Sequence, residues 1–172
     1  MKRFISVAPY FLLLLGVMFL FAVLGYGLFS NEAAVKQPSL DGRLLPLEAL
    51  YDANTMQPVR LKQPAIVHIY LSRCNACHSD QEILSAFKEE SCMDFIGLKW
   101  QGDIGETEPK IKQLIGSAYH RLWEASLNHI FVQLGMTTAP VTLVVDASGE
   151  ILAHHRGRLN AAVLRELLQG CR

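Results

Sequence analysis

Cys74-Asn75-Ala76-Cys77-His78 concentrates the reactive chemistry of this 172-residue chain. Two thiols with two residues between them can close on each other within one helical turn, hold a metal, or attach a haem. As a redox pair, Cys74 attacks as thiolate and Cys77 resolves the mixed disulfide. A helix beginning at this point favours that use. Its unpaired N–H groups and the positive end of its macrodipole stabilise a thiolate. Three bound-group readings compete. A zinc site needs more thiolates, and the other cysteines, Cys92 and Cys171, form no second close pair. Cys74, Cys77 and His78 literally match the c-type haem attachment pattern. The same three residues suit Cu(I). A plain stabilising disulfide is the remaining option.

The flanking sequence selects among these. Residues 65–71 (Ala-Ile-Val-His-Ile-Tyr-Leu) form a β-branched apolar run, the pattern of a strand buried on both faces. From Asp80 to Glu90, Ile83, Leu84 and Phe87 share one helical face. Further strands are expected at 95–100 and 140–145. A turn follows at 146–149, and a hairpin partner at 150–155. Short helices are expected at 108–115 and at 161–168, the latter capped by Asn160 and stopped by Gly170. Residues 44–61 read as irregular, with one or two short strands. The order strand, helix, strand, helix, hairpin, helix predicts an α/β domain with helices on both faces of a central sheet. A strand before the cysteine pair and an amphipathic helix after it are not needed for haem attachment. They are what a redox pair at a helix N-terminus needs, so no cofactor is expected.

His68, on the first strand, can exchange a proton near neutral pH, or it can be a hydrogen-bonded core residue. His154 and His155 are neighbours on a strand, so they face opposite sides and are not expected to share an ion. Trp100, Tyr119, Trp123 and Phe131 read as core, and Glu106 and Glu108 as solvated loop.

Lys2 and Arg3 precede a run from residue 4 to residue 29 without a charged side chain. That exceeds the roughly 20 apolar residues that cross a bilayer, and the leading cations belong on the cytoplasmic side. The expected organisation is a transmembrane signal anchor at 1–30, a tether at 31–40 and an exported domain at 41–172. A cleaved signal peptide is the other reading, with Gly25-Tyr26-Gly27 a poor cleavage site. The formal net charge is zero, and without basic blocks nucleic-acid binding has no electrostatic support.

Residues 69–77 (Ile-Tyr-Leu-Ser-Arg-Cys-Asn-Ala-Cys) and 135–146 (Gly-Met-Thr-Thr-Ala-Pro-Val-Thr-Leu-Val-Val-Asp) resemble thioredoxin-fold proteins of the TlpA-like group, and most nearly the DsbE/CcmG proteins of cytochrome c maturation. Residues 95–100, 116–119 and the hairpin through Gly149 and His155-Arg156-Gly157 fit as well, so the resemblance spans about 38–170. It implies a thioredoxin-like fold with the N-terminal anchor. It also implies a cis Pro140, with Ala139 offering backbone groups to a substrate peptide. The implied role is a thiol:disulfide oxidoreductase at a bacterial inner membrane, its domain in the periplasm. Such a protein reduces apocytochrome c or a partner handling it, and is recharged by a DsbD/CcdA-like reductase. A TlpA-like reductase for another envelope protein or a copper centre is the alternative. Four positions depart from the family, Asp80 conservatively. Arg73 replaces the usual Trp and places a cation beside Cys74. Val141 replaces the Glu after the proline. His68 occupies the place of a buried Asp or Asn. Asp80 stands where Glu is frequent. In this fold the helix after the cysteine pair and the last helix share a sheet face. Cys92 and Cys171 are therefore either a structural disulfide or a buried free thiol and a frayed tail.

Overall fold

In the computed structural model of the protein, the described residues are 14–22, 39–71, 73–89, 91–100, 109–125 and 129–171. Two units are present, Met1–Lys36 and Gln37–Arg172. In the first, residues 14–22 are helical (α1), with Leu14, Met18, Phe19 and Phe21 exposed. No helix among the described residues is long and apolar enough to cross a membrane. The rest of the span expected at 4–29, and the tether up to residue 38, lie outside the described residues.

The second unit is built on the strand that the β-branched run foretells. β2 (Ala65–Tyr70) is buried at every position. It pairs in parallel with β3 (Asp94–Lys99) and antiparallel with β5 (Val141–Val145), so both of its hydrogen-bonding edges are satisfied. With β1 (Leu50–Asp52), β4 (Arg121–Ala125) and β6 (Ile151–Arg156), the sheet order is β1-β4-β3-β2-β5-β6. The hairpin turn is fastened by Asp146, whose Oδ1 accepts from Ser148 N, Ser148 Oγ and Glu150 N. Those bonds, led by the Ser148 hydroxyl, hold its carboxyl below the usual range. Gly149 takes φ +91° there, the left-handed region that favours glycine.

Two cores lie on opposite faces of the sheet. One gathers Leu40, Leu45, Val67, Ile69, Leu98, Trp123, Phe131 and Leu143. It is covered by the irregular residues 40–61 and by α4 (His129–Gln133), and Trp100 stacks on Phe131 at 4.0 Å. The other gathers Ile66, Tyr70, Cys77, Leu84, Phe95, Ile115, Tyr119 and Leu164. It lies under α2 (Asn75–Lys88), α3 (Pro109–Ala118) and α5 (Ala161–Leu167). The helices after the cysteine pair and at the chain end do share a face, as expected. Asn160 caps α5 by accepting from Ala162 N and Val163 N at 2.9 and 3.0 Å.

α2 begins at Asn75 with Cys74 as its cap, so the cysteine pair opens the helix as expected, five residues before the apolar periodicity. Other expectations need correction. β4 and α4 were not anticipated. β4 carries Arg121 and Glu124 and is only half buried, so its alternation is weak. α4 is five residues long, too short to show a period. Cys92 is not a buried free thiol: it is exposed and disulfide-bonded. The bend into β3 turns it outward while Met93 takes the buried position. The side chain of Cys171 lies outside the described residues, as do Glu106 and Glu108.

Candidate active site

Cys74 leaves the end of β2 in an extended conformation (φ −121°, ψ 106°) and is the N-cap of α2. Its Sγ accepts from the backbone N–H of Cys77 at 3.1 Å. The two cysteines are joined by a disulfide, with Cα atoms 5.2 Å apart. Cys74 is half-buried and Cys77 has no exposed surface. That asymmetry fits an outer sulfur for attack and an inner one for resolution. When the bond opens, the Cys77 N–H and the helix N-terminus point at the sulfur that becomes thiolate. Arg73, exposed, adds a cation one residue away. His78 sits in the first turn, its N–H bonded to Cys74 O at 3.1 Å.

The sheet brings the proline to the same end. Ile69 is opposite Val141, so Pro140 continues the register beside Tyr70, where β2 runs out towards Cys74. The Ala139–Pro140 peptide is cis, as the family resemblance implies. Pro140 is buried, its carbonyl accepts from Gly157 N at 2.9 Å, and Ala139 is partly exposed.

Beneath the pair lies a buried polar cluster. On α2, Cys77, Asp80, Gln81 and Leu84 follow helical spacing and all face inward. His68 and Asp80 have no exposed surface. His68 Nδ1 is 2.5 Å from the Tyr119 hydroxyl, and its Nε2 is 3.4 Å from Asp80 Oδ2. Asp80 Oδ1 accepts from Leu159 N at 2.8 Å. Tyr70 and Tyr119 stack on each other and flank the imidazole, and Thr142 stands opposite His68 on β5. Burial, more than any neighbour, pushes the Tyr119 phenol well above its ordinary range. A phenol that keeps its proton donates it to Nδ1, which leaves the imidazole proton on Nε2, facing Asp80. The 3.4 Å gap is too long for a strong bond, and both atoms are buried without another partner.

Sequence reasoning placed Cys74, Cys77, Pro140, His68 and Asp80 in this one region. It missed Tyr119 as the partner of His68, 51 residues away, and the Leu159 amide as the partner of Asp80. The inward position of Asp80 was readable, since it follows Cys77 by three residues. His154 and His155 take separate partners, the Asp41 carboxylate and the Arg158 carbonyl.

No family model matches the chain. Thiol:disulfide interchange protein DsbE of Xylella fastidiosa is 27% identical over 160 residues, covering 90% of this chain and 81% of that protein. DsbE of Allochromatium vinosum is 28% identical over 157 residues, covering 86% and 83%. A thio-disulfide isomerase from Thermus thermophilus superposes with a TM-score of 0.58 at 21% identity, covering 76% of this chain and 96% of that one. The fold is thioredoxin-like, and with a disulfide between Cys74 and Cys77 at the start of its helix the chain is a DsbE-like thiol:disulfide oxidoreductase.

Proposed function

We propose that this oxidoreductase is a membrane-anchored disulfide reductase of the periplasm, serving cytochrome c maturation. The observation that carries the redox reading is the Cys74–Cys77 disulfide at the α2 N-terminus, with cis Pro140 on the neighbouring strand. In the reducing direction the Cys74 thiolate attacks one sulfur of a substrate disulfide, and the other leaves as a thiol. Cys77 loses its proton and attacks Cys74, the mixed disulfide breaks, and the second substrate thiol departs. The substrate gains two electrons and two protons, and the enzyme pair is oxidised. A DsbD/CcdA-like membrane reductase restores the dithiol. Pro140 and Ala139 line the substrate groove.

Residues 1–30 form the anchor, 31–40 the tether and 41–172 the working domain. The exposed Leu14, Met18, Phe19 and Phe21 of α1 are the apolar surface that a bilayer covers. The DsbE names of the relatives support the substrate assignment, apocytochrome c or a partner that handles it.

Arg73, His78, Asp80 and His68 tune the thiols. With Nδ1 taken by Tyr119 and the imidazole proton on Nε2, the group left to receive the proton of Cys77 is the Asp80 carboxylate, one helical turn away, which His68 orients. In His68→Ala the pH dependence of Cys77 alkylation should shift. An unchanged profile in a folded variant removes His68 from this role.

The function itself is tested with a Cys77→Ser trap in cells making c-type cytochromes. Mixed disulfides on Cys74 should contain apocytochrome c or a protein that handles it. Recovery of unrelated envelope proteins alone would move the assignment to a TlpA-like reductase of another target. A Soret band on the purified protein would count against the redox reading altogether.

A further inference from the structure

We infer that the disulfide end of the sheet is a cationic rim that selects substrates carrying acidic residues beside the target disulfide. This rests on the oxidoreductase reading and names a substrate class within it.

The rim follows from the register. Tyr70, the last residue of β2, is opposite Lys99, the last of β3. Val141, the first of β5, is opposite Arg156, the last of β6. Gly157 N bonds Pro140 O, which holds Arg156 and Arg158 on either side of the residue that touches the cis-proline. Arg73 precedes the attacking cysteine. The described segments that meet here, 70–71, 73–78, 99–100, 136–141 and 156–159, contain Arg73, Lys99, Arg156 and Arg158 and no carboxylate. Arg73 and Arg158 are exposed, Lys99 and Arg156 partly so. Glu124 lies across from Lys99 on β4 and also takes a hydrogen bond from the Tyr51 hydroxyl. Counting it still leaves three cations in excess among the described residues.

At the far end of the strands Asp94 is paired with Arg121, while Asp146 and Glu150 flank the β5–β6 turn. Arg73, Lys99, Arg156 and Arg158 therefore stand around the reactive sulfur, where a partner approaches. Their field raises encounter rates with anionic segments and turns cationic ones away. It acts over about 10 Å at 0.1 M salt, the distance between an exchanging sulfur and the residues flanking it.

The test uses the reduced full-length protein in detergent and three synthetic peptides. Each holds the same disulfide, flanked by Glu, Ser or Lys. At low salt the Glu peptide should be reduced on the order of tenfold faster than the Lys peptide, with Ser between, and added salt should shrink the spread. Arg158→Glu should slow the Glu peptide and speed the Lys peptide while the Ser peptide keeps its rate. Arg158→Gln should do the same to a lesser degree. Equal rates for Glu and Lys, with the Ser peptide reduced normally, would overturn the rim and leave the oxidoreductase standing. A faster Lys peptide would also overturn it and point to Asp103, Glu106 and Glu108 of the connection 101–108, outside the described residues. Failure to reduce any of the three would overturn the enzymatic reading, and the inference with it.

Discussion

Cys74→Ser should abolish disulfide exchange, a loss on the order of a thousandfold or more, and leave the fold intact. The loss follows from chemistry. A serine hydroxyl at this site has neither the acidity nor the nucleophilicity of a thiol, and Cys77, fully buried, cannot take over the attack. The retained fold follows from position. Cys74 is an N-cap whose sulfur accepts the Cys77 N–H, and serine is among the preferred residues there, with an oxygen that accepts the same bond. The lost disulfide closes so short a loop that it constrains the unfolded chain little. The checks are the rate of reduction of a peptide disulfide and the unfolding midpoint in urea, compared with a wild type whose pair is reduced. A midpoint far below that of the reduced wild type would show that Cys74 matters for more than its sulfur.

Gly97→Ala should destabilise the domain by about 1–3 kcal/mol, the range for overpacking a filled core. Gly97 lies on β3 opposite His68. A Cβ there would stand 2.6 and 2.7 Å from two carbons of the Tyr119 ring, closer than carbons approach without displacement. The ring has little room to yield. Tyr119 is buried, stacked on Tyr70 and bonded through its hydroxyl to His68. Displacing it therefore also loosens the imidazole. A double-mutant cycle separates the terms. Tyr119→Leu alone should cost stability, but Gly97→Ala should cost much less in that background, giving a coupling of about 1–2 kcal/mol. Additive costs would mean that the methyl group meets something other than this ring.

What was legible in the sequence depended on how local the signal was. The β-branched run 65–71 read as a buried strand, and the Cys74–Cys77 pair, three positions apart, left several chemistries open until that strand and the helix after it selected the redox one. The cis Pro140 was legible only through the family resemblance, because nothing in a single Ala-Pro step distinguishes the isomers. β4 was hidden because two of its five side chains, Arg121 and Glu124, are charged and break the apolar run. It is a strand because β1 and β3 supply partners on both sides. The His68–Tyr119 contact and the Asp80–Leu159 bond join residues 51 and 79 positions apart. No periodicity reports such pairs, which exist only once the sheet register is set. The outward turn of Cys92 was likewise decided by the bend into β3 rather than by the cysteine.

The two outer strands of the sheet have a consequence for self-association. β1 is followed by residues 57–59, which fold back on it: Asp52 N bonds Gln57 O, Val59 N bonds Leu50 O, and Pro58 stands opposite Tyr51. At the other side residues 42–45 lie along the β5–β6 turn and the start of β6, through Gly42 N to Ile151 O, Ile151 N to Arg43 O and the Leu44–Glu150 bridge. The remainder of β6 carries His154, His155 and Arg156. Open strand margins are templates on which copies of a chain zip together and precipitate, and short covers, prolines and charge are how they are blunted. Copies of an oxidoreductase anchored on one membrane, as proposed above, would meet their neighbours often. With β1 covered, and β6 covered at its start and polar towards its end, those meetings offer less for aggregation to grow on.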